Sequence, residues 1–387
     1  MKKISIPSLV FFVVFCASCL IFILHFRIVG SGVWGDGQYY YAYLRSVVVD
    51  GDLNFRNELE HFSRDIEVTK TGMIANKYSI GPALLWLPFF LIGQMLSRSD
   101  GYASLDQITT GIGAIFYGIA GLILCYKICR KYYSQKISLI AVLALFLCSN
   151  LFFYTAVDPI NSHAVSFFVA SLFLFLWVSR DERKNYQFFL LGIIGGVLAV
   201  IRNQDIIFSL PVAIKLALNN SFKKKVSRVF IFLSGILIAF IPQIIVWYVL
   251  YGGLVNPYLA GGEKFYFLQP QILPVLFNFQ NGLFLYSPIL VLSIIGLYYL
   301  FPKSRFFALS GLVLFILQLY TVASWHYFTQ GASYGGRMFI SLMPYFILGF
   351  AALVEKYKLM FGKIVILVSI FAAVNIGSII GFLLINP

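Results

Sequence analysis

The chain has 387 residues, of which 60% are hydrophobic and 11% charged, with a mean hydropathy of +0.86. Soluble domains carry about 25% charged residues, so a soluble globular class is excluded, and separate soluble domains are not evident. The net charge of +14 does not mark a nucleic-acid binder, because the excess sits in short loops between apolar runs, where it reports topology.

Apolar runs close to the length of a membrane-crossing helix recur along the whole chain, and predict an all-α polytopic membrane protein. The first span covers 6–28. Lys2 and Lys3 precede it, as in a signal peptide, but the apolar stretch is too long for an h-region and no A-x-A site follows. The expectation is a retained span with its N-terminus inside.

Residues 29–107 then form a long outer loop holding nine of the fifteen acids. Within it, 37–49 reads as a helix with Asp36 as N-cap and Gly51 as the C′ residue. Tyr40, Tyr43, Leu44 and Val47 share one face, which predicts a helix on the membrane surface with its Tyr at headgroup depth. The apolar segment 82–97 is short and carries Pro82 and Pro88, as interfacial or re-entrant segments do.

Charge supports this placement. If 82–97 does not cross, the inner segments are 1–5, 127–136, 179–187, 215–228, 302–305 and 355–363. They collect 19 of the 29 Lys and Arg, with only Asp181, Glu182 and Glu355 among the acids. The opposite choice turns the basic clusters at 127–136 and 219–228 outward, against the positive-inside rule.

The remaining spans fall near 108–126, 137–156, 163–178, 187–201, 206–218, 229–250, 286–301, 306–324, 340–354 and 364–385. That makes eleven spans in one transmembrane domain, 1–387. The other outer connections are 157–162, 202–205, 251–285 and 325–339. Cys16, Cys19, Cys125, Cys129 and Cys148 lie in or beside apolar spans and read as small packing residues rather than a redox or metal site.

Polar groups gather at the outer ends of spans: Asp158, His163, Arg202, Asp205, His326 and Arg337. Ionisable groups at membrane depth are costly and mark function, so this one-sided clustering predicts a site at the outer leaflet. Asp36 leads the candidates. It follows span one, sits between Gly35 and Gly37, which let a ligand approach the backbone closely, and can serve as a general base for an acceptor hydroxyl or simply cap a helix. Asp50-Gly51-Asp52 has the spacing of a two-carboxylate metal site, but reads more readily as a turn; no metal is established.

Lys77, in Asn76-Lys77-Tyr78, lies at lipid-phosphate height, where it can grip a phosphate or merely snorkel. Arg202 can pair with a phosphate or with Asp205. Arg337 follows a flexible Gly pair suited to anions, and equally to a tight turn. Tyr40, Tyr78 and His326 complete the candidate set. Aromatics in 251–285 can stack on sugars, although Tyr and Trp enrich at membrane interfaces by default.

This order of elements resembles the GT-C fold glycosyltransferases, in the branch with protein O-mannosyltransferases and bacterial aminoarabinose transferases. An acid follows span one, here Asp36. A long outer loop carries juxtamembrane helices, here 37–49 and 82–97. A Lys-plus-Pro element, Asn76-Lys77 through Pro82, introduces the second. The resemblance implies inverting transfer of a sugar from a polyprenyl-phosphate donor to an acceptor hydroxyl on a glycan, lipid or protein. It also implies that the reaction takes place at the outer face of a bacterial inner membrane.

The resemblance assigns Asp36 as base and Lys77 as the group on the lipid phosphate, with Arg202 and Arg337 placed by location. Three features depart from the family. Gly37 stands where a second acid is common, no Pro pair follows the Lys element, and the soluble C-terminal domain of many members is missing. A W-W-D-Y-G motif is also absent, which argues against an oligosaccharyltransferase. The rival readings are a transporter or lipid flippase, which predicts charges near the bilayer midplane, and an O-antigen ligase or polymerase, which places its large loop late in the chain.

Overall fold

The computed structural model describes residues 5–179, 184–218 and 222–385, with side chains throughout except at 222–225. Lys2, Lys3, Arg180, Asp181, Glu182, Arg183 and the side chains of Lys223, Lys224 and Lys225 enter the charge sorting above and lie outside the described residues.

The described residues are mainly helical, and their only β-structure is two isolated bridges. In chain order the principal helices are α1 (Ile6–Val29), α2 (Gly35–Arg45), α3 (Gly81–Ser97), α4 (Ser104–Arg130), α5 (Gln135–Leu147), α6 (Asn150–Ala156) and α7 (Ser162–Val178). There follow α8 (Asn185–Ile201), α9 (Phe222–Tyr251), α10 (Ile289–Leu300), α11 (Arg305–Ser324), α12 (Met343–Lys356) and α13 (Phe361–Ile385).

Six described helices are long and apolar enough to cross a membrane, or seven when the bent pair α5 and α6 counts as one span. The protein is an integral membrane protein. The expected eleven spans are therefore not matched by eleven long helices. α7 and α8 have 17 residues each and α10 has 12. The predicted span 206–218 is a 3-10 turn, Asn203–Ser209, leading into the short helix Leu210–Ala217.

Burial sorts the helices into centre and rim. The span ending in α12 is 83% buried, whereas those of α1, α9 and α13 are 22%, 22% and 17% buried. The last three present their apolar sides outward, as lipid-facing helices do. Close approaches in the interior use small residues. A Cβ on Gly296 of α10 would lie 2.0 Å from the Gly349 carbonyl oxygen of α12, so only glycine permits that crossing.

The predicted span 137–156 bends by 76° at its middle. Breaking a helix frees carbonyls that cannot be left unpaired in an apolar interior. Asn375 of α13 supplies the missing donor, with Nδ2 reaching the carbonyls of Leu147 at 2.9 Å and Ser149 at 3.1 Å. The bend carries Asn150–Ala156 and the turn after it under the functional site.

The first loop corrects two expectations. α2 begins at Gly35, and Trp34 rather than Asp36 occupies the N-cap, without a side-chain cap bond. A π-helical turn, Ser46–Asp50, extends α2 to Gly51, which adopts φ 75°. The Tyr face packs inside the protein rather than against a membrane surface. Tyr40, Tyr41 and Tyr43 are all buried within the protein, with the Tyr41 hydroxyl donating to the Gly101 carbonyl at 2.8 Å. Val47, expected on the same face, is exposed.

Candidate active site

Asp36 sits in the first turn of α2, and its carboxylate is held from two sides. The Tyr78 hydroxyl donates to Oδ1 at 2.8 Å, and Arg337 Nη2 donates to Oδ2 at 2.8 Å. Tyr78 stacks on Tyr39 with ring centroids 4.8 Å apart. Burial and the neighbouring Asp36 push the Tyr78 phenol well above its ordinary pKa, so it remains a neutral donor. Gly37 does not leave room for a ligand, as the paired glycines suggested. A Cβ there would fall 2.1 Å from the Ile160 carbonyl oxygen, so the missing side chain lets the 157–161 turn pack against α2.

The carboxylate faces a cavity of about 340 Å3 that also receives Tyr40, Lys77, Tyr78, Arg202 and Arg337. With His163 also in the wall, seven of the residues singled out in the sequence therefore converge on one space, from positions 36 to 337. Lys77 Nζ pairs with Glu263 Oε1 at 2.6 Å and lies 5.5 Å from the Tyr258 ring centroid. Arg202 is held by His163 Nδ1 and the Met338 sulfur. It is not paired with Asp205, whose carboxylate accepts from Ser166 at 2.6 Å and Ser341 at 3.0 Å. Asp205 thereby ties the Arg202 turn to α7 and to the 3-10 turn Arg337–Leu342.

The other candidates lie elsewhere. His326 is exposed, with its ring against Tyr327 and Tyr266; its neighbour Trp325 lines the cavity instead. Asp50 pairs with Arg45 and accepts from Asn57, and Asp52 accepts from Ser46 and the Asn54 amide. No group of three or more His, Cys, Asp or Glu suited to a metal occurs among the described residues.

Three residues of this candidate site were not singled out as candidates by the sequence reading. Tyr258 and Trp325 line the cavity, and Glu263 holds both Lys77 and the Trp325 indole, the latter at 2.7 Å. The first two are indistinguishable in sequence from ordinary interface aromatics. Glu263 was visible only as the single acid of its loop, next to Lys264.

Asp158 lies in the turn between α6 and α7. One carboxylate oxygen is buried without a partner, while the other accepts from Asn161 at 3.4 Å. Burial pushes its pKa up to about 7; Asn161 and Arg337 oppose the rise and Asp36 adds to it.

The fold matches solved structures. ArnT from Cupriavidus metallidurans, bound to undecaprenyl phosphate, superposes over 91% of this chain and 61% of its own, with a TM-score of 0.57 and 12% identity. The chain has the GT-C fold. The apo form of the same ArnT superposes with a TM-score of 0.51 over 90% of this chain and 60% of its own, at 11% identity. The GT-C chain described here thus spans about three fifths of ArnT's length. Residues 107–248 match the model of the family described as dolichyl-phosphate-mannose-protein mannosyltransferase. No curated protein sequence matches the chain. The matched segment of the GT-C fold contains Asp158, His163, Arg202 and Asp205, whereas Asp36, Lys77 and Arg337 come from outside it.

Proposed function

We propose that this protein is an inverting glycosyltransferase that moves a sugar from a polyprenyl-phosphate donor to an acceptor hydroxyl at the outer face of the membrane. The observation that carries the reading is the placement of Asp36 beside three cations in one cavity. The acceptor oxygen attacks the anomeric carbon, the bond from that carbon to the phosphate oxygen breaks, and polyprenyl phosphate leaves with the electron pair. Asp36 takes the hydroxyl proton.

Lys77, Arg202 and Arg337 neutralise charge on the departing phosphate, whose stabilisation needs positive charge rather than a proton. Asp36 is the one carboxylate lining the cavity among the described residues, which suits a single displacement better than a double one requiring a second carboxylate. α11 supports a lipid donor. Val313, Ile316 and Tyr320 of that helix face outward, while Thr321 and Val322 line the cavity. A polyprenyl tail could therefore lie along the helix with its phosphate inside. The undecaprenyl phosphate bound to ArnT and the mannosyltransferase family match support the same donor class.

The test uses the purified full chain and undecaprenyl phosphate. Binding measured by native mass spectrometry should weaken about tenfold or more in Lys77→Met and Arg202→Met, since hydrogen bonds to charged groups contribute roughly 1.5–3 kcal/mol. Cells carrying Asp36→Asn should lose one envelope glycan modification and accumulate the sugar-phospholipid. Full activity of that variant, or no lipid binding by the wild type, overturns the reading.

A further inference from the structure

A second cavity, of about 410 Å3, adjoins the first and falls within the size range of small-molecule sites. Its walls come from the first loop and from the chain after α9, including Tyr39, Asp65, Glu67, Lys70 and Tyr251. A small hairpin shapes it, with Thr69 and Ala75 amides bonded to the Met73 and Glu67 carbonyls. Thr71 anchors that hairpin to the end of α9, its hydroxyl reaching the Leu250 carbonyl at 2.8 Å.

The partition between the cavities is one chain thick. Asn256 and Tyr258 face the first cavity, while Val255 and Pro257 face the second. Tyr40 lines the first, Tyr39 the second, and Lys77 lines both. The Lys77–Glu263 pair at 2.6 Å stands in this wall.

The two spaces differ in sign. Lys77 is paired with Glu263 whichever side it is seen from, so the first keeps Arg202 and Arg337 against Asp36. In the second, the Lys77–Glu263 pair is internally neutral, leaving Asp65 and Glu67 against Lys70. Among the described residues no ion pair or side-chain hydrogen bond holds the Asp65 or Glu67 carboxylate, and both residues are exposed. Two unpaired carboxylates accept from hydroxyl or ammonium groups and repel anions. A sugar ring offers such donors on adjacent carbons and an apolar face to Tyr39 or Tyr251, whereas a peptide backbone offers isolated amides.

We propose that this second cavity is the acceptor subsite, and that it takes a saccharide without anionic substituents, either neutral or amino-bearing. The inference rests on the reading of the first cavity as the donor site. It sets a cationic chamber for the lipid phosphate beside an anionic one for the body of the acceptor, whose reacting hydroxyl reaches past Lys77 to Asp36 in the first.

Saturation-transfer NMR on the detergent-solubilised full chain tests it with three probes: maltose, chitosan disaccharide and digalacturonate. The first two should bind, and digalacturonate should bind about tenfold more weakly or not at all, since like-charge juxtaposition is strongly disfavoured. The variant Asp65→Asn/Glu67→Gln, checked for an unchanged melting temperature, should lose this discrimination while binding undecaprenyl phosphate like the wild type. Four results overturn the proposal: no saccharide bound by the wild type, equal binding of digalacturonate, selectivity unchanged in the double variant, or binding of a serine-containing peptide in place of any saccharide. Failure of undecaprenyl phosphate to bind strikes the donor reading instead, so the two failures are distinguishable.

Discussion

Arg337 Nη2 donates to Asp36 Oδ2 at 2.8 Å, joining the loop after the first helix to the turn before α12. The pair draws the Asp36 side chain toward the cavity and leaves the carboxylate partly solvent-exposed, at 26%. Removing the carboxylate charge should abolish the base while sparing the phosphate grip. Asp36→Asn is expected to lower transfer by about 10²–10⁴-fold, the usual contribution of general base catalysis, with undecaprenyl phosphate binding changed little. Rate and binding measured on the same preparation check this, and a parallel loss of both would place Asp36 in lipid binding instead.

Asp205 acts at a distance, by tying the two arginine-bearing turns together through Ser166 and Ser341. Asp205→Leu removes the acceptor for two buried hydroxyls, at roughly 1–3 kcal/mol for each group left unsatisfied. Lower thermal stability and weaker undecaprenyl phosphate binding are expected together, with Asp205→Asn intermediate because its amide oxygen still accepts. Unchanged lipid affinity in the Leu variant would free Arg202 and Arg337 from any dependence on this tie.

Much of the site was readable before any coordinates, and the reason is electrostatic. In an apolar chain each ionisable side chain stands out, so Asp36, Lys77, Arg202 and Arg337 could be picked as singletons, and all four line one cavity. Periodicity put Tyr40 and Tyr43 on one face of α2, and the expected partner of that face was the membrane surface. The protein interior takes it instead, because periodicity does not name the partner. Glycine flanking Asp36 suggested room for a ligand, and Gly37 instead admits the Ile160 carbonyl. Tyr258, Glu263 and Trp325 depend on how 251–285 folds back over the first loop, a long-range pairing with no local pattern. Span counting failed at 206–218 because hydropathy does not register the 3-10 turn over Asn203–Ser209.

Gly37 offers a sharper probe than its neighbours. An added methyl at Gly37→Ala would meet the Ile160 carbonyl and force α2 away from the 157–161 turn, so Asp36 moves with its helix. A misplacement near 1 Å can cost about 10²-fold in rate. The expected outcome is a folded protein with normal lipid binding and severely reduced transfer. A variant with full turnover would mean that the turn yields without moving Asp36.

Arg45 organises the first loop away from the cavity. Nη1 donates to Glu58 Oε1 at 2.8 Å, Nε donates to the Asp100 carbonyl at 2.9 Å, and the guanidinium lies 4.8 Å from the Tyr102 ring centroid. The Glu58 side chain is fully buried, and burial raises its pKa despite the opposing Arg45. Removing one partner strands a buried charge, at a cost of about 3–5 kcal/mol. Arg45→Met should therefore lower the melting temperature markedly, and Arg45→Met/Glu58→Met should recover much of the loss. Equal destabilisation of the single and double variants would show that the contacts to Asp50, Asp100 and Tyr102 carry the effect.

Asp158 makes stability depend on pH in a definite direction. Burial lifts its pKa to about 7 in the folded protein, against an ordinary value of 3.8. The folded state therefore holds a proton between those pH values that the unfolded chain has released. Stability rises as pH falls wherever the folded state binds more protons, so this group stabilises the fold at low pH. That contribution is lost progressively as pH climbs through 7, with an upper limit on the order of 4 kcal/mol at 1.36 kcal/mol per unit. Thermal melts across pH 5–8 should show the wild type losing stability toward pH 8. Asp158→Asn, which cannot ionise, should flatten that slope and leave the variant more stable than the wild type at pH 8. A variant slope identical to the wild type would locate the titration in another group, and a wild type that gains stability toward pH 8 would mean that Arg337 holds Asp158 ionised.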